Sequence, residues 1–366
     1  MPKQEFHKVY TCTPVAFHAD ARFFTRDTGL VSRTLRGLGY ESKTIMPLPW
    51  HADDEKEHII RVAPAALRSV KWWRKQGIDA LVLYSWGDPR YTLIARAIHK
   101  AGVKLILQLD FNGHFLKAEK FPRFLREYAV NFLRARHLSY ADAIAASPVA
   151  KVYLQGHPRY GHSIADKCHT MPTAVDSRFA YAGAPKERRV ICVGDWEAAV
   201  KRPAFMRETI QLLLEQDAGV KVDICGPFGA ACAAWWQALP PQQRERTHLL
   251  GAVSHAELPA LYNRAQVSLC TSESEGTHGV SAEALCCGCS VVTTNRERLR
   301  MVHWYTTRDS GTISADDTPA SLCDAILNEL YAWLCHRRDP HGIAASWQPV
   351  FHTEQTLPRI LHAIKG

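Results

Sequence analysis

The chain lacks any long apolar run: none of its 366 residues lies in a stretch of about 18 or more apolar residues. A membrane-spanning helix needs about 20 of them, so no such helix is expected. The first residues, MPKQEFHKVYTC, also lack the apolar segment of a secretory signal peptide. We therefore expect a cytoplasmic protein, with a peripheral position at the inner face of a membrane as the alternative.

The cysteines lack the arrangement of metal ligands. Eleven of them, an odd number, are scattered along the chain, and the closest group is Cys286, Cys287 and Cys289. A closed zinc site needs about four Cys or His ligands, and no second pair lies at zinc spacing. We expect reduced, buried thiols and no bound metal.

Charge of the two signs is unequal: 45 Lys and Arg face 36 Asp and Glu, which gives a net charge of +9. A basic protein attracts anionic partners, such as a nucleotide, a phosphorylated lipid, a membrane surface or nucleic acid. No recognition helix or aromatic platform is visible, so we expect no nucleic-acid partner.

Short continuous apolar segments alternate with helical patterns in both halves of the chain. Predicted strands cover 8–12, 41–46, 80–84, 103–109, 141–146, 189–193, 220–225 and 266–269. Predicted helices cover 30–38, 64–76, 93–101, 115–137, 205–214 and 256–262. This alternation favours an α/β protein of two doubly wound, Rossmann-like domains, each with a parallel sheet covered on both faces.

The expected domains are an N-terminal domain over 1–183 and a C-terminal domain over 184–345, with a linker at 182–186. The remaining segment, 346–366, follows a loop rich in His and Pro and ends in a helix over 357–364. We expect that this C-terminal helix can pack on the N-terminal domain.

The segment 272–295, SESEGTHGVSAEALCCGCSVVTTN, carries the strongest functional signal. Glu275 and Glu283 have seven residues between them, and a turn at Gly288 leads into a β-branched strand over 290–294. The order predicts a loop, a short helix and a buried strand. At a rise of about 1.5 Å per residue, the two glutamates lie about 12 Å apart. Free N–H groups at the helix start can face a diphosphate between them.

This segment resembles the donor-site signature of the retaining glycosyltransferases of family 4. Their pattern is Glu-Gly-Phe-Gly, a second Glu with seven residues between it and the first, an Ala/Gly-rich turn and then a Pro-Val-Val strand. In this chain Thr277 stands in place of the Phe, His278 in place of the next Gly, and Ser290 in place of the Pro. The resemblance implies the GT-B fold, in which two Rossmann-like domains face a cleft.

Other segments resemble the same family. They are 171–179, which resembles the entry to the second domain, 251–262, and 26–29, which resembles the glycine loop on the acceptor side. The strand 191–194 with Lys201, Arg202 and Pro203 resembles the strand and loop that carry two cations for the donor diphosphate. The family usually has Arg after the glycine matched to Gly194, whereas this chain has Asp195.

The resemblance implies roles for individual residues. Lys201, with Arg202 second, would stabilise the departing diphosphate, which is a large catalytic term in such reactions. Glu275 would contact the donor sugar and Glu283 the ribose hydroxyls, because a carboxylate accepts from adjacent hydroxyls with both oxygens. Further donor-binding positions are Gly194, Gly276, Thr277, His278, Gly279 and Val280. The family needs no divalent metal, and no Asp-x-Asp motif is present.

In the first domain, the resemblance places Asp110 nearest the histidine that many relatives hold beside the reacting sugar. His114 follows four residues later, and Gly29 belongs to the acceptor-side loop. The alternative for Asp110 is a turn residue or helix cap. The alternative for Arg202 is an ordinary surface cation.

The predicted function is a retaining glycosyltransferase that moves a sugar from a nucleotide-diphospho-sugar to a glycan, lipid-linked or small-molecule acceptor. One alternative is a degenerate, non-catalytic protein, motivated by Asp195, and another is a nucleotide-sugar epimerase. The basic, aromatic stretches 67–75 and 115–136 either lie on an anionic membrane or pack on the sheet as ordinary amphipathic helices.

Overall fold

The computed structural model describes residues 6–110, 123–156 and 161–365. The chain forms two compact units. Unit 1 comprises Met1–Asp176 and Val350–Gly366, and unit 2 comprises Ser177–Pro349. The candidate residue His114 and the start of the predicted helix 115–137 lie outside the described residues.

Unit 1 is built on a parallel sheet of seven described strands. They are β1 Val9–Cys12, β2 Thr44–Pro47, β3 Ile59–Val62, β4 Ala80–Tyr84, β5 Lys104–Gln108, β6 Ala143–Ala146 and β7 Cys168–Thr170. Their order in the sheet is β3-β2-β1-β4-β5-β6-β7, so the direction of winding reverses between β1 and β4. In a doubly wound sheet, ligands bind outside the carboxyl ends of the strands at such a reversal.

Helices cover both faces of this sheet. Those of the first part of the chain are α1 Asp27–Gly37, α2 Val70–Gln76, α3 Thr92–Lys100, α4 Arg123–Ser139, α5 Pro148–Gly156 and α6 Gly161–Ala165. The central strand β4 shows the two-sided burial, because Leu81 and Leu83 pack into one core cluster and Val82 into the other. Burial on both faces explains why these strands are continuously apolar rather than alternating.

The predicted helix 64–76 is shorter than expected. The helix α2 begins after Ser69, whose Oγ accepts from the Trp72 N–H at 3.2 Å, and it ends at Gly77, where φ is +61°. A serine cap and a left-handed glycine are common helix boundaries. Trp73 is fully buried and its Nε1 donates to the Leu67 carbonyl at 2.8 Å, so it belongs to the core of unit 1.

Unit 2 repeats the same architecture with six described strands. They are β8 Glu187–Val193, β9 Lys221–Cys225, β10 Thr247–Gly251, β11 Ala265–Cys270, β12 Ser290–Thr293 and β13 Gly311–Ile313. All pairings are parallel and the order is β10-β9-β8-β11-β12-β13, with the reversal between β8 and β11. Two doubly wound parallel sheets therefore confirm the predicted fold class.

The helices that follow β8 complete unit 2 and return the chain to unit 1. They are α7 Pro203–Gln216, α8 Ala230–Ala238, α9 Pro241–Glu245, α10 Leu258–Arg264, α11 Gly279–Cys286, α12 Arg300–Tyr305, α13 Pro319–Leu334, α14 Pro340–Phe351 and α15 Thr353–Ile364. The helix α15 buries Leu357, Ile360, Leu361 and Ile364 in the core of unit 1. The predicted loop rich in His and Pro is wrong, because α14 occupies it.

The described helices were compared with the requirements for crossing a membrane. Within residues 6–110, 123–156 and 161–365, no helix has both the length and the hydropathy needed to cross a bilayer.

Candidate functional site

The winding reversal of unit 2 brings two loops of the sequence motif together. The first follows β8 and contains Lys201, and the second follows β11 and contains Glu275. These strands are neighbours at the reversal, so their carboxyl ends border the same crevice. The position of the site thus follows from strand order, which the two motifs alone do not reveal.

Lys201 and Glu275 form an ion pair across this crevice. The Lys201 Nζ donates to Glu275 Oε1 at 2.5 Å, and the side chains are only 20% and 15% exposed. Two further hydrogen bonds tie the loops: Thr271 Oγ1 donates to the Lys201 carbonyl at 2.8 Å, and the Glu273 N–H donates to the Val200 carbonyl at 2.7 Å. The ammonium group is therefore held in place before any ligand arrives.

Ionisation of this cluster is set by burial and by the neighbouring charges. Burial alone would raise the pKa of Glu275, but His278 and then Lys201 outweigh it and hold that pKa below its ordinary value. Burial lowers the pKa of His278 to about 4, although Glu275 opposes the shift. Near neutral pH the site therefore contains an ammonium, a carboxylate and a neutral imidazole.

The start of α11 lies next to this ion pair. His278 precedes the helix with φ of +53°, and its Nδ1 lies 2.7 Å from Ser281 Oγ. The Tyr305 hydroxyl donates to the Thr277 carbonyl at 2.9 Å, which fixes the turn. A Cβ placed on Gly279 would meet no atom within 4 Å, so the space beside the first helical residue is open. Backbone N–H groups at a helix start suit an anion in that space.

Glu283 lies farther along α11 and has two partners that the sequence did not single out. Its Oε1 lies 3.2 Å from His255 Nε2, and its Oε2 accepts from the Tyr262 hydroxyl at 3.4 Å. The His255 ring in turn packs edge-on against Phe179, with 4.7 Å between ring centroids. These contacts orient a carboxylate that is 16% exposed. His255 and Tyr262 fall in the segment 251–262 of the family resemblance, which was their one available signal.

The remaining donor-side candidates lie around the same crevice. Gly276 and Val280 are half-buried, and Gly194 directly follows β8. The Gly194 N–H donates to the Cys225 carbonyl at 3.1 Å. A Cβ on Gly226, where φ is +113°, would lie 1.8 Å from the Gly194 oxygen, so glycine is required there for the two loops to approach. No motif in the amino-acid sequence indicates this close contact.

The acceptor-side candidates lie in unit 1. Gly29 is buried in the first turn of α1, and a Cβ there would lie 2.1 Å from the Phe23 carbonyl oxygen. This glycine therefore lets α1 pack against the preceding turn. Asp110 is exposed just after β5 and borders a cavity of unit 1.

Residues 187–331 match the family model described as Glycosyl transferases group 1. The matched segment covers most of unit 2, which is therefore similar to the group 1 glycosyltransferases over this range. The match begins at the first residue of β8 and includes Lys201, Glu275 and Glu283, so the loops that border the crevice at the winding reversal lie within the matched segment.

Solved structures share the fold of the whole chain. Alr3699/HepE of Anabaena, solved in complex with UDP, is 15% identical, covers 98% of this chain and 99% of its own, and has a TM-score of 0.67. Sucrose-phosphate synthase (tll1590) from Thermosynechococcus elongatus is 15% identical over 97% and 98%, with a TM-score of 0.65. A putative UDP-N-acetylglucosamine 2-epimerase from Listeria monocytogenes is 13% identical over 98% and 96%, with a TM-score of 0.61.

The TM-scores and the coverage establish a common fold, the GT-B fold of two Rossmann-like domains. Because the identities are this low, the similarity shows the fold alone. No curated protein matches the chain at the level of sequence.

The cationic loop after β8 differs from the pattern that the resemblance implies. Arg202 donates to Asp317 Oδ1 at 2.7 Å, and its guanidinium lies 3.7 Å from the centroid of the Phe205 ring. Asp195 is exposed, and its Oδ1 accepts from the Glu197 N–H at 3.0 Å. Both cations of this loop are therefore paired with carboxylates, Lys201 with Glu275 and Arg202 with Asp317.

The cysteines of unit 2 are part of its core except for Cys335, which is exposed, contrary to the expectation of buried thiols. Cys286, Cys287 and Cys289 are buried, and burial raises the pKa of each thiol. Lys186 Nζ donates to the Tyr262 carbonyl at 2.8 Å and to the Cys287 carbonyl at 2.7 Å, which closes this turn. No group of three His, Cys, Asp or Glu residues suited to a metal ion occurs in the described part of the chain.

Proposed function

We propose that the protein is a retaining glycosyltransferase that transfers a sugar from a nucleotide-diphospho-sugar to a glycan, lipid-linked or small-molecule acceptor. The observation that carries this proposal is the preorganised Lys201–Glu275 pair beside the open start of α11 in unit 2. It joins a cation, a carboxylate and free backbone donors at the place where a doubly wound sheet binds nucleotides.

Lys201 supplies positive charge where the leaving diphosphate gains negative charge. An ammonium has three donors, of which Glu275 uses one, so the others remain for phosphate oxygens. The side chain is four-fifths buried, and a charge acts more strongly in such a water-poor site than in bulk solvent. The start of α11 adds its N–H groups to the same task.

The two glutamates divide the sugar chemistry of the donor. Glu275 is ionised at neutral pH and can accept from hydroxyls of the transferred sugar. Glu283, oriented by His255 and Tyr262, can accept from the two adjacent ribose hydroxyls. Because Lys201 and the helix start supply the positive potential, we propose that no divalent metal is needed, and that EDTA leaves nucleotide binding unchanged.

Glu283→Gln is expected to weaken binding of the preferred nucleoside diphosphate about 10- to 100-fold, because hydrogen bonds to charged groups contribute about 1.5–3 kcal/mol. Pyrophosphate has no ribose, so its binding should not change. Thermal shift with UDP, GDP, ADP, CMP and TDP identifies the base, since a ligand at about 100 times its Kd stabilises a protein by about 2.7 kcal/mol.

The control for this measurement is Glu245→Gln, at an exposed position of α9. It should bind both ligands as the unmodified protein does. An equal loss of nucleotide and pyrophosphate binding in Glu283→Gln would contradict the ribose role.

A second candidate is a non-catalytic protein that binds a nucleotide or glycan. Two features of the loop after β8 favour this candidate. Asp195 stands where the family usually has an arginine, and Arg202 is paired with Asp317, so fewer cations are available to bind a diphosphate. Incubation of the protein with a nucleotide-sugar distinguishes the candidates. Transfer or slow donor hydrolysis supports the transferase, an altered sugar in the nucleotide product supports an epimerase, and binding without any conversion supports the non-catalytic protein.

We also propose that α4 lets the protein associate with an anionic membrane surface. Leu125, Phe132 and Leu133 are 58%, 50% and 44% exposed, and their spacing puts them on one side of the helix with the exposed Arg136. Apolar side chains beside cations are typical of helices that lie in the headgroup region. The other predicted stretch, 67–75, has Trp73 in the core of unit 1 and Trp72 packed against that core instead.

Substitution of Leu125, Phe132 and Leu133 by serine is expected to reduce sedimentation with phosphatidylserine vesicles at least about 10-fold, since burial of each such side chain contributes about 1.5–3 kcal/mol. Nucleotide binding by unit 2 should remain. Serine at Leu93, Val152 and Leu334, exposed elsewhere, is the matched control. Equal sedimentation of both variants would contradict a role of α4.

A further inference from the structure

Unit 1 contains a cavity of about 200 Å³ that lies at its own winding reversal. One wall comes from the loop after β1 and the start of α1, with Phe17, Phe23 and Asp27. The opposite wall comes from the end of β4, with Tyr84 and Trp86. Because β1 and β4 are neighbours at the reversal, this cavity occupies the position where doubly wound sheets bind ligands.

The lining of the cavity combines aromatic rings with carboxylates. Four of the lining residues are aromatic, namely Phe17, Phe23, Tyr84 and Trp86. The carboxylates come from Asp27, the first residue of α1, and from Asp110, in the loop after β5; burial raises the pKa of Asp27. Aromatic faces attract the apolar side of a ring and also attract cations, and carboxylates accept hydrogen bonds from hydroxyl and ammonium groups.

The charge of the cavity has the opposite sign to that of the protein. Its charged residues are Asp27, Asp110 and Arg26, so carboxylates outnumber cations, although the whole chain has a net charge of +9. Two carboxylates within one small cavity disfavour a phosphorylated or carboxylated ring and favour a neutral or cationic one.

Tyr84 is a buried polar group of the cavity that lacks a partner. The residue is 4% exposed, and its hydroxyl has no hydrogen-bond partner within the described ranges. Burial, and then the charges of Asp27 and Asp110, raise the pKa of Tyr84 well above its ordinary value, so the phenol keeps its proton. A buried hydroxyl without a partner is costly, which is the pattern of a group that a ligand completes.

The size of the cavity limits the ligand. Pockets for drug-sized molecules usually enclose about 300–1,000 Å³, whereas this one encloses about 200 Å³. One ring with its substituents fits this volume, and an oligosaccharide does not.

We infer that this cavity binds the acceptor as a single hydroxylated ring that carries a protonated amino group, such as an amino sugar or an aminocyclitol. Asp27 and Asp110 receive the ammonium and adjacent hydroxyls, and the aromatic residues contact the ring. The role of this ring as the acceptor rests on the proposed transferase function. The binding site itself depends only on unit 1.

The test uses the full-length protein and four rings that differ in one substituent: glucose, glucosamine, N-acetylglucosamine and glucuronate. Binding is measured by ligand-observed NMR below the pKa of the glucosamine amine. We expect glucosamine to bind at least about 10-fold more tightly than the other three, because a charge-assisted hydrogen bond is about twice as strong as a neutral one.

Asp27→Asn and Asp110→Asn should each reduce the preference for glucosamine about 10-fold, whereas Asp166→Asn, at an exposed position of unit 1 outside the cavity, should keep it. Unchanged hydrogen exchange of a peptide from β4 shows that unit 1 of each variant is folded. Equal binding of glucose and glucosamine, stronger binding of glucuronate, or an unaffected preference in both variants would overturn the inference.

The two proposals fail separately in this experiment. Nucleotide binding and sugar transfer without a preference for the amine overturn the cavity assignment and leave the transferase standing. A preference for glucosamine that depends on Asp27 and Asp110, in a protein that neither binds nor converts any nucleotide-sugar, supports the cavity assignment and overturns the transferase.

Discussion

Lys201→Ala is expected to lower the turnover of sugar transfer about 10²–10³-fold, the loss that follows removal of one preorganised donor to a developing negative charge. The ammonium is 2.5 Å from Glu275 and mostly buried, so no water molecule or mobile side chain can replace it at the same place without reorganisation. Arg202 is held by Asp317 and Phe205 and is poorly placed to substitute for it. Steady-state kinetics with the preferred donor measures the effect.

The control for Lys201→Ala is Lys221→Ala. Lys221 lies on β9, and its half-exposed Nζ is 3.5 Å from Glu187 Oε2. Its turnover should equal that of the unmodified protein. The thermal midpoint of Lys201→Ala separates loss of chemistry from loss of folding. Full turnover in a folded Lys201→Ala protein would contradict the assignment of the leaving-group cation.

Acidification is expected to destabilise both units between about pH 6.5 and pH 4, through His137 in unit 1 and His278 in unit 2. Burial lowers the pKa of each imidazole from 6.5 to about 4. The unfolded chain therefore binds more protons than the folded protein in this interval, and the free energy of unfolding falls as the pH falls. At about 1.4 kcal/mol per pKa unit, each histidine contributes a loss of about 3 kcal/mol once the pH is below 4.

His137 offers the clearer measurement because it belongs to unit 1, whereas the candidate donor site belongs to unit 2. It is fully buried, its Nε2 lies 2.7 Å from Ser85 Oγ, and its Nδ1 has no hydrogen-bond partner in the described structure. Hydrogen exchange of peptides from β4 and β11 follows the stability of each unit separately. His137→Gln should remove most of the pH dependence in β4 and none in β11.

The control for this experiment is His362→Gln, which replaces an exposed histidine of α15. Its pH dependence in both peptides should match that of the unmodified protein. A pH dependence of β4 that His137→Gln leaves intact would show that another group is responsible.

The fold class could be predicted because it depends on local patterns. Buried parallel strands are continuously apolar, and the helices between them end at glycines such as Gly77, so strand and helix alternate visibly in the sequence. The strands that were missed are short ones, β3, β7, β10 and β13, with three to five residues each. All four are edge strands of the two sheets, and β7, β10 and β13 are only partly buried, so they lack the continuously apolar pattern of a central parallel strand.

The helix α14 was missed for a different reason. Pro340 and Pro349 suggested a loop, yet Pro340 is the first residue of the helix and Pro349 lies close to its end. A proline at the first helical position gives up an N–H that would have no partner within the helix in any case. Its presence therefore did not exclude a helix.

The candidate site could be predicted only in part, since its geometry depends on contacts between distant loops. The spacing of Glu275 and Glu283 is visible in the sequence, whereas the pairing of Lys201 with Glu275 joins residues 74 positions apart. The engagement of Arg202 by Asp317 spans 115 positions. Whether these residues act as the resemblance implies stays a prediction for the experiments above.

Acceptor-side residues were the least accessible to sequence reasoning. The cavity of unit 1 takes its lining from loops after three strands, and aromatic residues such as Phe17 and Trp86 belong to no recognisable motif. Gly29, which the resemblance placed on the acceptor side, proved to have a steric reason of its own in the packing of α1.

Unit 2 is, in topological terms, an insertion into unit 1. The backbone of Val175 pairs with that of His352 on either side of the inserted segment, and α15 fills a core whose other members lie before residue 176. On the ribosome, unit 2 can fold as soon as its contiguous segment emerges, whereas unit 1 has to wait with an open apolar face until residues 350–366 are made. Unit 1 is therefore synthesised first but completed last. A chaperone that shields its apolar face would act after unit 2 has folded and before residues 350–366 are made.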